Sequence, residues 1–324
     1  LRGESRHALI TGLSGQDGSF LAELLLSEGY AVTGVVRDPR RLGCSEHLRD
    51  RVELVRGELL EPITLREAIE RVRPQEIYHL AAPSFIADSW ARPEETSRAI
   101  TGSAEAILDA VGELDRSMRV FVSSSAAIFG DTRELPQRED TPCHPQSPYA
   151  VAKLQAHELV GRLRAHEGLH VSSGILFNHE SERRPERFVT RKITRAAAAI
   201  SLNLTDELTL GDLAAVRDWS FAGDIVYGAW LMLQQEHPGD YVLASGVPHT
   251  VRDFACAAFA CVDLDAENYI RVDPALVHPS APSVGDSSKA RERLGWIPRV
   301  DYQQLVERMV AADLRELRGV TTTP

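Results

Sequence analysis

The chain has 324 residues, 43% of them hydrophobic, enough to bury a substantial core in one large domain or two unequal lobes. Its 36 basic and 47 acidic residues give a formal charge of -11, which argues against nucleic acid as the main partner and makes any phosphate-bearing ligand depend on local arginines. The opening Leu1-Arg2-Gly3-Glu4-Ser5-Arg6 carries no apolar signal core, and no later stretch approaches the roughly 18 apolar residues of a membrane span, so the expectation is a cytoplasmic protein with no membrane partner. In chain order, residues 8–11 read as a short apolar strand running into the glycine turn Gly12-Leu13-Ser14-Gly15-Gln16-Asp17-Gly18, and 19–27 as a helix closed by Gly29. A second strand follows at 31–36. Further apolar runs at 52–55, 77–82, 120–123 and 171–177 are separated by helical stretches such as 62–72 and 94–111. From about Asn178 the pattern loosens into Arg- and Pro-containing loops, helices over 188–200, 225–235 and 302–317, and short strands around 241–244. The expected architecture is α/β: a Rossmann-type doubly wound parallel sheet with a smaller C-terminal substrate-binding lobe. The sheet domain is expected over 1–177 and the lobe mainly over 178–324, with some crossing of the chain between them.

Tyr149-Ala-Val-Ala-Lys153 is the most informative segment, and Lys153 is one of only three lysines. Residues four apart share a helix face, so the ammonium can stabilise a phenolate whose ordinary pKa is about 10. That makes the tyrosine a usable base near neutrality. Ser123-Ser124-Ser125 ends a strand in position to set a hydroxyl beside Tyr149. Gly12, Gly15 and Gly18 follow a strand and open a helix, the setting in which backbone amides and a helix N-terminus bind a pyrophosphate. Together these features point to hydride chemistry on a nicotinamide. The second strand ends in Arg37, followed by Arg40 and Arg41, which favours the 2'-phosphate of NADP, with NAD as the alternative. Cys44, Cys143, Cys256 and Cys261 have no metal-ligand spacing with histidines, so reduced thiols are expected, with neither a metal site nor a disulfide framework.

The segments Ala8-Leu-Ile-Thr-Gly-Leu-Ser-Gly-Gln-Asp-Gly-Ser-Phe-Leu21, Ser147-Pro-Tyr-Ala-Val-Ala-Lys153, Gly174-Ile-Leu-Phe-Asn-His-Glu-Ser181, Phe188-Val-Thr-Arg-Lys-Ile193 and Arg217-Asp-Trp219 resemble the extended short-chain dehydrogenase/reductases. Within them they resemble the GDP-mannose 4,6-dehydratase family, over nearly the whole chain. The resemblance implies Ser125, Tyr149 and Lys153 as catalytic hydroxyl, base and supporting lysine. For the cofactor it implies the glycine turn, Arg37, Glu58, Leu59, Leu80, Ala81, Ala82, Ser84, Tyr149, Lys153, His179 and Arg184. For the substrate, a nucleotide-diphosphate sugar linked to GDP, it implies Ser84, Ser125, Asn178, Lys192 and Arg217.

The chain also departs from that pattern. The family sequence Ser-Thr-Ser-Glu-Leu-Tyr-Gly corresponds here to Ser124-Ser125-Ala126-Ala127-Ile128-Phe129-Gly130, so Ala127 stands where the family has its catalytic glutamate. A methyl group can neither remove the C5 proton nor protonate the departing C6 hydroxyl. Losing a general acid/base costs about 10²- to 10⁴-fold per role. Cys143 and His144 are the available replacements. Glu58 stands for a family Asp, Glu95 for a Tyr, and His278-Pro279-Ser280-Ala281 for an Arg-Pro-Ala-Glu that contacts the nucleotide. The loop after Arg37 lacks the Ser-Ser-x-Phe-Asn-Thr segment associated with a tetramer, so a homodimer is expected. With C4 oxidation intact and elimination disabled, the simplest reaction is 4-epimerisation of the nucleotide sugar. Dehydration with a replacement base, reduction of a 4-keto nucleotide sugar by NADPH, and a non-catalytic NAD(P)-binding sensor are the alternatives.

Overall fold

The computed structural model describes residues 6–277 and 281–321; His278, Pro279 and Ser280, read above against a family nucleotide contact, lie outside the described residues. The strands are His7–Thr11 (β1), Ala31–Val36 (β2), Glu53–Arg56 (β3), Glu76–His79 (β4), Arg119–Ser125 (β5), Val171–Leu176 (β6), Asn178–Glu180 (β7), Leu208–Leu210 (β8), Val216–Phe221 (β9), Asp240–Leu243 (β10), Pro248–Thr250 (β11) and Ile270–Val272 (β12). The α-helices are Gln16–Ser27 (α1), Pro62–Val72 (α2), Asp88–Ala91 (α3), Pro93–Ser97 (α4), Ser103–Leu114 (α5), Pro148–Glu167 (α6), Val189–Ser201 (α7), Ala222–Gln234 (α8), Val251–Ala260 (α9), Ser288–Leu294 (α10) and Tyr302–Thr321 (α11). Seven strands form one sheet in the order β10-β6-β5-β4-β1-β2-β3, and every pair in it is parallel. The sequence reversal at β1 and β4 is the switch point of dinucleotide-binding sheets, where ligands sit outside the carboxyl ends of the strands.

Successive side chains along a strand point to opposite faces, and both faces are apolar. Ala8 and Ile10 join Leu21, Leu25, Ile225, Met232 and Trp296 in a core under α1 and α8. Leu9, Ile77, Val120 and Val122 join Ile69, Ile107, Val111 and Val160 under α2, α5 and α6. A third core of Ile193, Trp219, Phe254, Leu305 and Met309 builds the second lobe from α7, α9, α11 and β9. That lobe adds the small sheets β11-β9-β7 and β12-β8.

Three elements differ from the sequence reading, each for a local reason. The strand expected over 77–82 stops at His79 because the Ala81 amide donates to the Thr11 hydroxyl at 3.2 Å instead of to a neighbouring strand. The helix expected over 94–111 is broken by a π turn at Arg98–Gly102, where the Ser103 hydroxyl donates to the Ala99 carbonyl at 2.7 Å and Thr101 to Ala152 at 3.0 Å, so side chains compete for the helical hydrogen bonds. The strand read with the second lobe is β10, and it pairs with β6 in the main sheet. The chain therefore crosses back into the sheet domain through α8 and β10.

Candidate active site

The glycine turn joins β1 to α1. Gly12 has φ of 79°, and a Cβ there would lie 2.9 Å from the Ala81 amide nitrogen. A Cβ at Gly18 would lie 2.2 Å from the Gly12 carbonyl oxygen. Gly15 is exposed and caps α1 without a side-chain hydrogen bond, so the first-turn amides of α1 face an open approach. Such a cradle fits a pyrophosphate. Not every residue of the turn offers its side chain. Leu13 is fully buried with its side chain against Gly34, and its carbonyl accepts from Ser45 at 2.6 Å. Gln16 is also committed inward, accepting from Ser181 at 2.7 Å and donating to the His179 carbonyl at 3.2 Å.

Asp17, the next residue, is held by the second lobe. Its Oδ2 meets His179 Nε2 at 2.9 Å, while His179 Nδ1 meets the Phe177 carbonyl at 2.7 Å. Although burial opposes its charge, the His179 imidazole, Gln16 and the Arg184 guanidinium hold the Asp17 carboxyl at about 2. His179 is raised above its ordinary value of 6.5: the Asp17 charge and hydrogen bond outweigh the larger single effect of burial. Arg184 lies 3.0 Å from Glu180 Oε2 and stacks on the Phe188 ring at 3.6 Å.

At the end of β5, Ser125 is within hydrogen-bonding reach of the Tyr149 phenol. Burial pushes that phenol up, while Ser125 and the Arg184 charge pull it down. The Ser125 hydroxyl also accepts from the Ala127 amide at 3.2 Å, which fixes its position. Tyr149 and Lys153 are both buried and share a face of α6, as their spacing predicts. Lys153, however, donates to the Ser123 carbonyl at 2.7 Å and hydroxyl at 3.2 Å, and its Nζ is 6.0 Å from the Tyr149 ring centre. Burial lowers its pKa to about 8. Beneath the site, buried His79 links Thr11 at 2.8 Å to Ser103 at 3.0 Å; burial and then the Lys153 charge lower it to about 3. It is neutral, and through Thr11 it fixes the Ala81 backbone against Gly12.

Of the other residues named for the cofactor, Arg37 is exposed at the end of β2, Arg40 is paired with Asp38 at 2.9 Å, and Glu58 receives the Thr64 hydroxyl on its backbone. Leu59 and Ala82 pack against one core and Leu80 against the other. Ser84 is exposed on the loop after β4.

Asn178 and Arg217 lie on adjacent strands, β7 and β9. Arg217 donates to the Val216 carbonyl at 2.7 Å, and burial lowers its pKa. Lys192 donates to the Thr209 carbonyl at 2.6 Å, and two residues further along the chain from Thr209 begins a cleft of about 440 Å³ lined by Gly211, Asp212, Leu213, Ala214, Thr250 and Arg252 with Val272 and Val277. Sequence reasoning missed this cleft because its lining is spread over some 70 residues with no local pattern. Asp218, also missed, is buried and accepts the amides of Ser245, Gly246 and Gly285, tying two loops to β9.

Ala127 packs against the apolar core under α6. Cys143 packs against the cluster of Ile128, Phe129 and Phe177, and burial raises its thiol. His144 and Glu95 are exposed, and Glu95 pairs with Arg92 at 3.1 Å. All four cysteines are free. Among the described residues no group of three or more His, Cys, Asp or Glu is placed to hold a metal, and no helix is long and apolar enough to cross a membrane.

A switch-point sheet, a glycine cradle and a Ser-Tyr-Lys set define an enzyme of the extended short-chain dehydrogenase/reductase type. The sequence profile of the GDP-mannose 4,6 dehydratases matches residues 9–309, and the chain belongs to that family. GDP-mannose 4,6 dehydratase 1 of Arabidopsis thaliana is 41% identical over 323 residues, covering 95% of this chain and 89% of that one. The GDP-mannose 4,6-dehydratase of Sinorhizobium fredii is 41% identical over 343 residues, covering 96% and 97%. Among solved structures, RMD from Pseudomonas aeruginosa complexed with NADPH superposes with a TM-score of 0.82 at 22% identity, covering 96% of this chain and 100% of that one. A UDP-glucose 4-epimerase from Thermotoga maritima, solved with UDP-glucose, has a TM-score of 0.86 at 22% identity, covering 96% and 99%.

Proposed function

We propose that the protein is an NAD(P)-dependent nucleotide-sugar enzyme that takes a GDP-hexose such as GDP-mannose and inverts it at C4. The glycine cradle and the first-turn amides of α1 would hold the pyrophosphate of the dinucleotide, and Arg37, exposed at the end of β2, would favour NADP through its 2'-phosphate. When bound, the dinucleotide supplies the nicotinamide that accepts a hydride from C4 and gives it back. The protein's own residues manage the proton and the geometry. Tyr149 takes the proton from the C4 hydroxyl and returns it, Ser125 hydrogen-bonds the same oxygen, and Lys153 brings a buried positive charge beneath the site. Lys192, Arg217 and Asn178 would hold the diphosphate, with the base in the neighbouring cleft.

The observation that carries epimerisation over dehydration is Ala127. Its half-buried methyl group packs against the core and carries no ionisable group, and neither replacement is suited to the work, since burial raises the Cys143 thiol and His144 is exposed. The second reading, a GDP-mannose 4,6-dehydratase with another base, draws support from about 40% identity to such enzymes over nearly the whole chain. Incubation with GDP-mannose in D2O, followed by NMR, separates the two. A 4-epimer without loss of water supports the first; a 4-keto-6-deoxy sugar with deuterium at C5 supports the second. Ala127→Glu should raise elimination by about 10²-fold or more if the remaining machinery is present. A homodimer in the cytoplasm is the assembly and location we infer, the former from the missing segment after Arg37; light scattering tests it.

A further inference from the structure

The loop leaving β4 and the loop entering α7 belong to different lobes, and they meet. Phe85, next to Ser84, packs edge-to-face on Phe188, with ring centres 5.6 Å apart at 89°. The Arg187 guanidinium lies 4.3 Å from the Phe85 ring centre and 5.8 Å from that of Phe188. It also donates to Asp88 Oδ2 at 3.0 Å. Phe188 in turn carries Arg184 on its ring, whose charge bears on both Asp17 and Tyr149. An aromatic pair, the Arg187 stack on Phe85 and an ion pair thus join the lobes between Ser84 and Arg184. The ion pair is weak and solvated, the Arg187 and Asp88 side chains being 49% and 41% exposed. Such a junction can open and close within a catalytic cycle.

We propose that Phe85, Asp88, Arg187 and Phe188 form a clasp that closes over the reacting end of the cleft and retains the 4-keto intermediate; this rests on the reaction read above. Oxidation breaks the C4–H and O–H bonds, sending two electrons with the hydrogen to the oxidised nicotinamide and the proton to Tyr149. The ketone must then turn over and take the hydride back. If it escapes first, the nicotinamide stays reduced and the enzyme is stranded.

Asp88→Arg and Arg187→Glu each break the ion pair at exposed positions, and the double variant restores it with reversed polarity. After a single turnover of GDP-mannose on NADP-loaded enzyme, each single variant should leave several-fold more absorbance at 340 nm than the wild type, with the double variant, which regains the ion pair but not the Arg187 stacks, falling between Arg187→Glu and wild type. Stopped-flow fluorescence of NADPH release, which needs no sugar, should show several-fold faster release in the singles and partial recovery in the double. Release rates that match wild type in both singles overturn the clasp, as does unchanged stranding where the wild type turns over. If the wild type converts no GDP-hexose, the failure belongs to the reading of the reaction, and the release rates alone decide the clasp.

Discussion

Tyr149 has its pKa raised by burial, so it works as a base only as the pH climbs or as positive charge is brought to it. Turnover should therefore rise with pH through neutrality. Tyr149→Phe removes the proton acceptor and should lower kcat by 10²-fold or more, about the effect of losing one general base, while the affinity for NADPH changes little. Asp17 and His179 make a different prediction. The Asp17 carboxyl sits at about 2 against an ordinary 3.8, so its contribution to stability is complete above about pH 4 and is lost as the pH falls toward 2. His179 is raised above 6.5, so its contribution is complete below 6.5 and is lost as the pH rises through the raised value. The pair stabilises most between those limits. The Tm gap between wild type and Asp17→Asn should be widest at about pH 4–6.5 and shrink above neutrality; a gap that does not vary with pH contradicts the pairing. At this scale the sequence reveals residues whose chemistry is set by spacing along one helix, such as Tyr149 and Lys153. It does not reveal that Lys153 rests on Ser123, because that contact joins residues 30 apart through the packing of α6 on β5.

Elements that bring backbone close to a ligand depend on atoms that are missing. Gly12 and Gly29 share a φ of 79°, yet a Cβ at Gly12 meets the Ala81 amide at 2.9 Å and one at Gly29 meets nothing within 4 Å. Gly29→Ala should cost about 1–2 kcal/mol, the strain of an L-residue in that conformation. Gly12→Ala adds the collision to that strain and displaces the loop carrying Ala81 and Ala82, so it should unfold at a lower temperature than Gly29→Ala and bind NADPH more than tenfold more weakly. Equal stability of the two variants in thermal melts would contradict the close approach. The turn and its helix are legible in the sequence because glycine spacing and apolar periodicity are local. The π turn at Arg98–Gly102 and the early end of β4 are not, since each depends on hydroxyl groups finding partners across the fold.

Across the whole molecule, the doubly wound sheet follows from the alternation of apolar runs and helices, and the crossing of β10 back into it shows why a single cut in the chain cannot separate the lobes. The glycine turn and the Tyr149/Lys153 face of α6 were readable from their local spacing. The cleft lined by Gly211 to Ala214, Thr250, Arg252, Val272 and Val277 was not, because its lining comes from separate stretches of chain beside the third core. Ala127 is a residue without an ionisable group in a family of dehydratases, and the proposed reaction rests on it. Conversion of GDP-mannose deuterated at C4 tests that point most directly. The hydride removed from C4 has two destinations: an epimerase returns it to C4 on the opposite face, and a dehydratase delivers it to C6 after water has left. The expected product retains its water and carries deuterium at C4; deuterium at C6 of a 4-keto-6-deoxy sugar would contradict epimerisation.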